Sequence, residues 1–425
     1  MRVAPPEGSG LHRKLRALRA VVAVIECDSV ARAAEAMHLS ASAVARAILD
    51  VENTLGFPLF QRSGRGLIAN PAGRVLGTRA TRAMQELATG YKEAFASTAT
   101  HRDGGARAAT RFSAVVSAQQ LTSFVAIAEL GSGPLAAARL QCSQPTVQRN
   151  LDQLEDLIGI KLFRRTPRGT RLTDEATALL GPVRRALAEI AVAEDELAPF
   201  GGRQQGSVYV AALPLSSGHV LPCAIDLLLA RQPHLQVTVV DGTYDALVQQ
   251  LRQADVDMIV GALRSDEVSP DVRQEALFED RLSVVARAGH PAMQSPGPLR
   301  LAELARYAWL MPLPGTPGRQ AFEQAFRAEG VALPCPRLQV NSTPVVRGLL
   351  SGNDRLALLS PLQIDNELRS GELVVLPVPL QQVVRTIGVA TRRDGLLSPG
   401  ALQMLEALRK VSRTVHRPEA IAVRA

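Results

Sequence analysis

At 425 residues the chain is too long for one ordinary hydrophobic core, and at roughly 150 residues per domain it has length for about three units. With 46% apolar and 21% charged residues it falls among folded globular proteins, which excludes a disordered or fibrous chain. Its net charge of +8 is uneven: residues 1–205 hold 26 Lys and Arg against 19 Asp and Glu, a net of +7, whereas residues 206–425 hold 22 against 21, a net of +1. A polyanionic partner therefore suits the N-terminal half alone.

The first residues, MRVAPPEGSGLHRK, contain no apolar stretch of signal-peptide length, and Val21–Ile25 is bracketed by Arg19 and Glu26. No run approaches the ~18 apolar residues that span a bilayer, so no membrane association and a cytoplasmic location are expected. Cys27, Cys142, Cys223 and Cys335 stand far apart without a C-x-x-C or a nearby His pair. That pattern predicts neither a zinc site nor a disulfide framework, but reduced thiols.

Sliding the chain against itself by 103 positions brings Leu18 onto Leu121 and reveals an internal repeat without a gap. Glu26 meets Glu129, Ser29 meets Ser132, Ala33-Ala34 meet Ala136-Ala137, and Ser40 meets Ser143. The register continues through Arg46 and Arg149, Glu52 and Glu155, Gly56 and Gly159, Leu59-Phe60 and Leu162-Phe163, Arg62 and Arg165, and Arg65-Gly66 and Arg168-Gly169. The first half is two copies of one domain, predicted over residues 12–98 and 118–200.

In the second copy, Leu121, Phe124, Val125 and Ala128 recur at helical spacing until Gly131-Ser132-Gly133 breaks the run, and Leu135–Leu140 forms the next helix. Ser143 is placed to cap a third helix, Pro145 loses no hydrogen bond in its first turn, and Leu151, Leu154 and Leu157-Ile158 make its apolar stripe. Lys161–Thr173 then has the shape of a hairpin. Its cations Lys161, Arg164, Arg165, Arg168 and Arg171 have no acid among them, which suits a phosphate backbone or an ordinary solvated turn.

The pattern A-A-x-x-L-x-x-S-Q-P-T-V ending in L-x-x-L-E, then an L-F-x-R and an R-G-x-x-L-T, closely resembles the DNA-binding domain of LysR-type transcriptional regulators, with Ile158-Gly159 where the family has LG. The resemblance implies a winged helix-turn-helix. Ser143, Gln144, Pro145, Thr146, Gln148 and Arg149 then stand at the start of a recognition helix in the major groove, with Arg165 and Arg168 toward the wing. The chemistry agrees, since Gln pairs with adenine, Arg with guanine, and a Thr methyl packs on thymine. Capping alone also accounts for Ser143 and Pro145.

The first copy keeps Ser40, Ser42, Arg46, Arg62 and Arg65, but Ala41-Ser42-Ala43 replace Gln144-Pro145-Thr146 and Ala45 replaces Gln148. Phosphate contact with relaxed selectivity is expected there, or reduction to a dimerising or spacing module. Its hairpin ends in Ala69-Asn70 instead of an L-T pair, a further loss of pattern. Each copy continues into an amphipathic helix, through Leu76, Ala80, Ala83, Leu87, Tyr91 and Ala94 in the first and Leu179, Val183, Leu187 and Ile190 in the second. These resemble the family's linker helices, which pair antiparallel between chains. Residues 99–117, beginning in the small, polar Ser97–Gly105, are expected to be a flexible connector.

From Gly206 short apolar runs alternate with helical patterns, the mark of α/β construction. Strands are predicted at Val208–Leu213, Val237–Val240, Met258–Val260, Leu282–Ala286, Leu338–Val340, Leu356–Leu359 and Ile387–Ala390, and helices near Val220–Ala230, Tyr244–Gln253, Arg319–Ala328 and Ala401–Val411. The segment resembles the family's two-lobed, periplasmic-binding-protein-like effector domain. Lobe I is expected at 206–270 and 385–425 and lobe II at 271–384, the chain crossing near Pro270–Asp280 and returning near Val378–Val384. Strand-end loops then select Ser216, Ser217, Thr243, Arg264 and Thr316 as effector contacts. Helix capping by the hydroxyls and a surface ion pair for Arg264 are the alternatives.

No G-x-S-x-G, H-E-x-x-H or Walker lysine is present, and Gly131–Ala136, which fits G-x-G-x-x-A, follows a helix and not a strand. The seven histidines form no metal spacing, so no cofactor and no enzyme activity are expected. The expected protein is a multidomain transcription regulator that binds double-stranded DNA sequence-specifically, oligomerises, and answers to a small effector such as a sugar, sugar acid or organic acid. A solute-binding or interaction module with partly degenerate DNA-binding units is the alternative.

Overall fold

Leu15–Cys27 (α1), Val30–Ala36 (α2) and Ala41–Leu55 (α3) lead into the antiparallel hairpin Phe60–Ser63 (β1) and Gly66–Ala69 (β2), then the long helix Pro71–Ala94 (α4). After Gly105–Val115 (α5) the series returns as Ala118–Leu130 (α6), Gly133–Arg139 (α7), Gln144–Ile158 (α8), Phe163–Thr166 (β3), Gly169–Leu172 (β4) and Asp174–Leu197 (α9). Each element of the second series begins and ends 103 positions after its counterpart. The computed structural model describes residues 10–63, 66–95, 105–167, 169–213, 218–264, 269–294, 297–380 and 383–415. Arg65, Arg168, Ser216 and Ser217 of the expected site residues lie outside them.

The two copies share local devices. Ser40 and Ser143 have the same backbone angles, φ −76° and ψ 149°, and accept from the amides of Ala43 and Thr146 at 3.2 and 3.3 Å. Gly56 and Gly159 end the helices at φ +85° and +76°, where a side chain would be strained. Glu52 and Glu155, matched in the repeat, accept from the buried amides of Leu59 and Leu162 at 2.7 and 2.9 Å, tying each helix to the start of its hairpin. Glu155→Leu leaves the Leu162 N–H buried and unsatisfied. It should cost about 1–3 kcal/mol, read as a shifted urea midpoint at unchanged slope.

Asn70 corrects the reading of a lost pattern. It accepts from Gly73 N at 2.9 Å and donates to Pro58 O at 2.7 Å, as Thr173 accepts from Ala176 N at 3.2 Å and donates to Lys161 O at 3.1 Å. An amide and a hydroxyl fill one capping role here.

The linker helices α4 and α9 lie antiparallel within the chain, and their apolar stripes enter one continuous core with both copies. Arg79, 1% exposed, pairs from α4 with Glu189 at 2.8 Å and Glu196 at 2.6 Å. These two carboxylates hold its pKa above the ordinary value against the opposing effect of burial.

The connector expected over 99–117 is a helix from Gly105, and residues 96–104 lie outside those described. Ala109, Phe112 and Val116 recur at helical spacing and are buried, with the Phe112 ring 5.4 Å from Tyr91 on α4. Arg16 and Arg19 of α1 donate to the carbonyls of Val115 and Ala114 at the helix end. The small, polar start of the segment concealed this packing face.

The chain divides into two units, residues through Gly206 with Arg252–Asp255, and the remainder. The elements from Gly206 onward are Gly206–Ala212 (β5), Val220–Leu229 (α10), Leu235–Asp241 (β6), Tyr244–Arg252 (α11), Met258–Ala262 (β7), Val272–Arg281 (β8), Ser283–Arg287 (β9), Leu301–Leu304 (α12), Ala308–Leu310 (β10) and Pro317–Ala328 (α13). They end with Thr343–Ser351 (α14), Arg355–Leu359 (β11), Asp365–Ser370 (α15), Leu373–Val375 (β12), Val384–Arg392 (β13) and Pro399–Val415 (α16). Two sheets result, ordered β6-β5-β7-β13-β8 and β10-β11-β9-β12.

Two expectations change. The crossing placed near Pro270–Asp280 lies at Leu282, because β8 pairs antiparallel with β13 through Arg281 and belongs to the first sheet. As an edge strand with Arg273, Glu275, Glu279 and Arg281, it lacks the apolar run that marks a buried strand. Leu338–Val340 contributes only an isolated bridge, Gln339 to Met311, beside Pro334 and Pro336. The return crossing at Val383 accepts from Leu282 N at 3.0 Å.

Candidate nucleic-acid interface and ligand site

Helix α8 buries Val147, Leu151, Leu154 and Ile158 and exposes Ser143, Gln144, Pro145, Gln148, Arg149 and Asp152, while Thr146 is half-buried. Ser143 both caps the helix and bonds the Thr146 hydroxyl at 2.8 Å, and Gln148 donates to Asp152 at 2.8 Å. On the neighbouring hairpin Arg164, Arg165 and Arg171 are exposed. Among the described residues, Arg149 and these three make no ion pair, so no salt bridge ties their guanidinium groups down. Lys161, counted among the hairpin cations, instead pairs with Glu155 at 2.6 Å, which raises its pKa.

The same face of the first copy is poorer in polar groups. Ser40, Ala41, Ser42 and Arg46 are exposed, Ser40 and Ser42 share a hydroxyl contact at 3.0 Å, and Leu49 stands 56% exposed where the second copy has Asp152. Asp50 is taken up by Lys14 at 2.7 Å. Arg46 and Arg62 are exposed and make no ion pair among the described residues.

In the second unit Thr243 and Arg264, two of the expected ligand residues, come together through Tyr244. Thr243 is exposed before α11, and the Arg264 guanidinium lies 3.9 Å over the ring of the adjacent Tyr244. Thr316 caps α13 by accepting from Arg319 N at 3.2 Å, and its hydroxyl donates to Leu313 O at 2.8 Å.

A different cluster forms where the chain passes between the sheets. Asp280, at the end of β8, accepts from Arg385 Nε at 2.8 Å and Nη2 at 2.5 Å and from the Ser360 hydroxyl at 2.5 Å, all three side chains being buried. Gln363 accepts from Arg385 at 3.2 Å, its carbonyl from Arg347, and its buried Nε2 has no partner. With Gly218, His219 and Val220 at the start of α10, Asp280, Ser360 and Gln363 line a cavity of about 20 Å³, room for one water. A larger hollow of about 530 Å³ along Gln320, Glu323, Gln324 and Arg327 runs on one face of α13 and draws no polar group from a second element. The cluster spans positions 80 to 105 apart in sequence, so no local motif announces it.

Among the described residues no helix is long and apolar enough to cross a membrane, and no three potential metal ligands gather. Residues 15–74 and 118–177 each match the bacterial regulatory helix-turn-helix protein, lysR family, and residues 201–413 match the LysR substrate binding domain. The HTH-type transcriptional regulator GalR of Pseudomonas putida is 34% identical over 397 residues, 93% of this chain and 97% of that protein. The regulator PcaQ of Agrobacterium fabrum is 30% identical over 295 residues, 69% of this chain and 94% of that one. Full-length CbnR complexed with its target DNA shares the fold at TM-score 0.52 and 20% identity, covering 69% of this chain and 99% of that one. A helix-turn-helix built twice, followed by a substrate-binding domain that fills the second half, makes this chain a member of the LysR family of transcriptional regulators.

Proposed function

We propose that this DNA-binding regulator reads DNA through two winged helix-turn-helix units of unequal discrimination and answers to an effector held between the two sheets, or lobes, of its second unit. Copy two supplies the base contacts, from Gln144, Thr146, Gln148 and Arg149, while Arg164, Arg165 and Arg171 grip phosphates. The observation that carries this is the exposed, capped α8 with an unpaired Arg149 beside a hairpin whose arginines also make no ion pair among the described residues. CbnR, of the same fold, is described bound to its target DNA. Gln144, Gln148 and Arg149 presented together on one exposed helix face favour a reader of DNA over a mere solute-binding module.

A duplex selected from a random pool by the full chain tests the assignment. Arg149→Ala should weaken the selected duplex by about 1–3 kcal/mol and leave random duplex unchanged. Arg165→Ala should weaken both and reduce the salt slope by about one. An Arg149 variant with undiminished preference for the selected duplex overturns the groove assignment.

For the effector, the Gly218–Val220 helix start and the unpartnered Gln363 amide offer donors, which suits a sugar acid or organic acid. As it stands the cavity admits a water, so binding requires the lobes to part. A thermal-shift screen of such metabolites tests this, with Gln363→Leu expected to abolish the shift.

A further inference from the structure

We infer that a single chain supplies both members of the pair of DNA-binding units that grips an operator, with a discriminating reader on one half-site and a phosphate-gripping one on the other. This rests on the proposed roles of the two copies and adds how they are joined.

The joining is written in the contacts of α4 and α9. Arg82 pairs with Glu189 at 3.0 Å, and Glu86 pairs with Arg185 at 2.8 Å. Since Arg185 and Glu189 lie 103 positions after Arg82 and Glu86, each ion pair is the other with the copies exchanged. That reciprocity defines an isologous interface about a two-fold axis, the symmetry by which two identical subunits ordinarily pair. Here both partners belong to one polypeptide. Tethering by the segment between α4 and α6 gives the partner in the same chain a high effective concentration, and α5 packs onto α4 along the way.

The pair is symmetric in framework and asymmetric at its reading surface. Hairpin and helix lengths agree at every element, as do the caps of α3 and α8, but Gln144, Thr146, Gln148 and Asp152 stand where the first copy has Ala41, Ala43, Ala45 and Leu49. Alanines and an exposed leucine offer no hydrogen bond to a base edge, whereas Arg46 and Arg62 keep the positions of Arg149 and Arg165. The interface core is asymmetric too, with the buried Arg79 matched by Pro182, which fits against Gly90.

Selection of the full chain against random duplexes of about 40 base pairs should yield two half-sites about one helical turn apart, one well defined and one degenerate. Arg149→Ala should erase the defined half. Arg46→Ala should weaken the same duplex roughly tenfold without altering its motif. With the four native cysteines replaced by alanine, Glu86→Cys with Arg185→Cys, which replace an ion pair across the two helices, should be joined within one chain by a bis-maleimide and leave the mass on a denaturing gel at one chain. Cross-linked dimers overturn the pairing within one chain alone, and half-sites of equal information overturn the unequal readers, while a symmetric motif still fits a DNA-binding regulator. Failure to enrich any duplex overturns both readings.

Discussion

Replacing Arg79 by methionine is expected to lower stability by about 3 kcal/mol, the cost of leaving the half-buried Glu196 unpaired and the buried Glu189 with one partner of two. Glu189 retains Arg82, but Glu196 loses both its contacts, from Arg79 Nε at 3.0 Å and Nη2 at 2.6 Å. The loss should appear in the urea transition of the N-terminal unit and carry a loss of DNA affinity, since α4 and α9 hold the two readers together. A triple variant, Arg79→Met with Glu189→Leu and Glu196→Leu, should recover much of the stability, because well-packed apolar groups often replace a buried ionic cluster at little cost. A single variant as stable as the wild type would show that the helices do not depend on this cluster.

The two copies were legible in sequence because a gapless repeat preserves its caps, glycines and apolar stripes together, and the structure reproduces every element at the same offset. The strands that are apolar on both faces, such as β7 and β11, were legible as short continuous apolar runs. What escaped depends on tertiary context. The charged edge strand β8 shows no buried run, and α5 hides an apolar face behind a small, polar start. The role of Glu52 and Glu155 was invisible although the residues were matched, because a side chain accepting from an amide seven positions away leaves no periodic trace. The cluster around Asp280 joins three separate segments, so burial and not spacing identifies it. Thr316, chosen from a strand-end rule, caps its helix, the alternative that the sequence left open beside ligand contact.

The Asp280 cluster supports the second large effect. Arg385→Met should destabilise the second unit by about 3–5 kcal/mol, since a carboxylate 4% exposed keeps only the Ser360 hydroxyl. Asp280 and Arg385 face each other on β8 and β13, the strands through which the chain leaves and re-enters the first sheet. Ser360 and Gln363 follow β11 of the second sheet, so the bond from Ser360 to Asp280 ties the sheets together at the crossing. Stability and signalling can then be separated. Arg385→Met with Asp280→Leu removes the buried charge and should restore the thermal midpoint, yet it lacks the tie that, on the proposed function, an effector reshapes. With a metabolite that raises the wild-type midpoint as probe, the double variant should still bind the selected duplex and no longer change its affinity when the metabolite is added. A double variant that responds as the wild type does would remove this cluster from the signalling path and leave it a structural role alone.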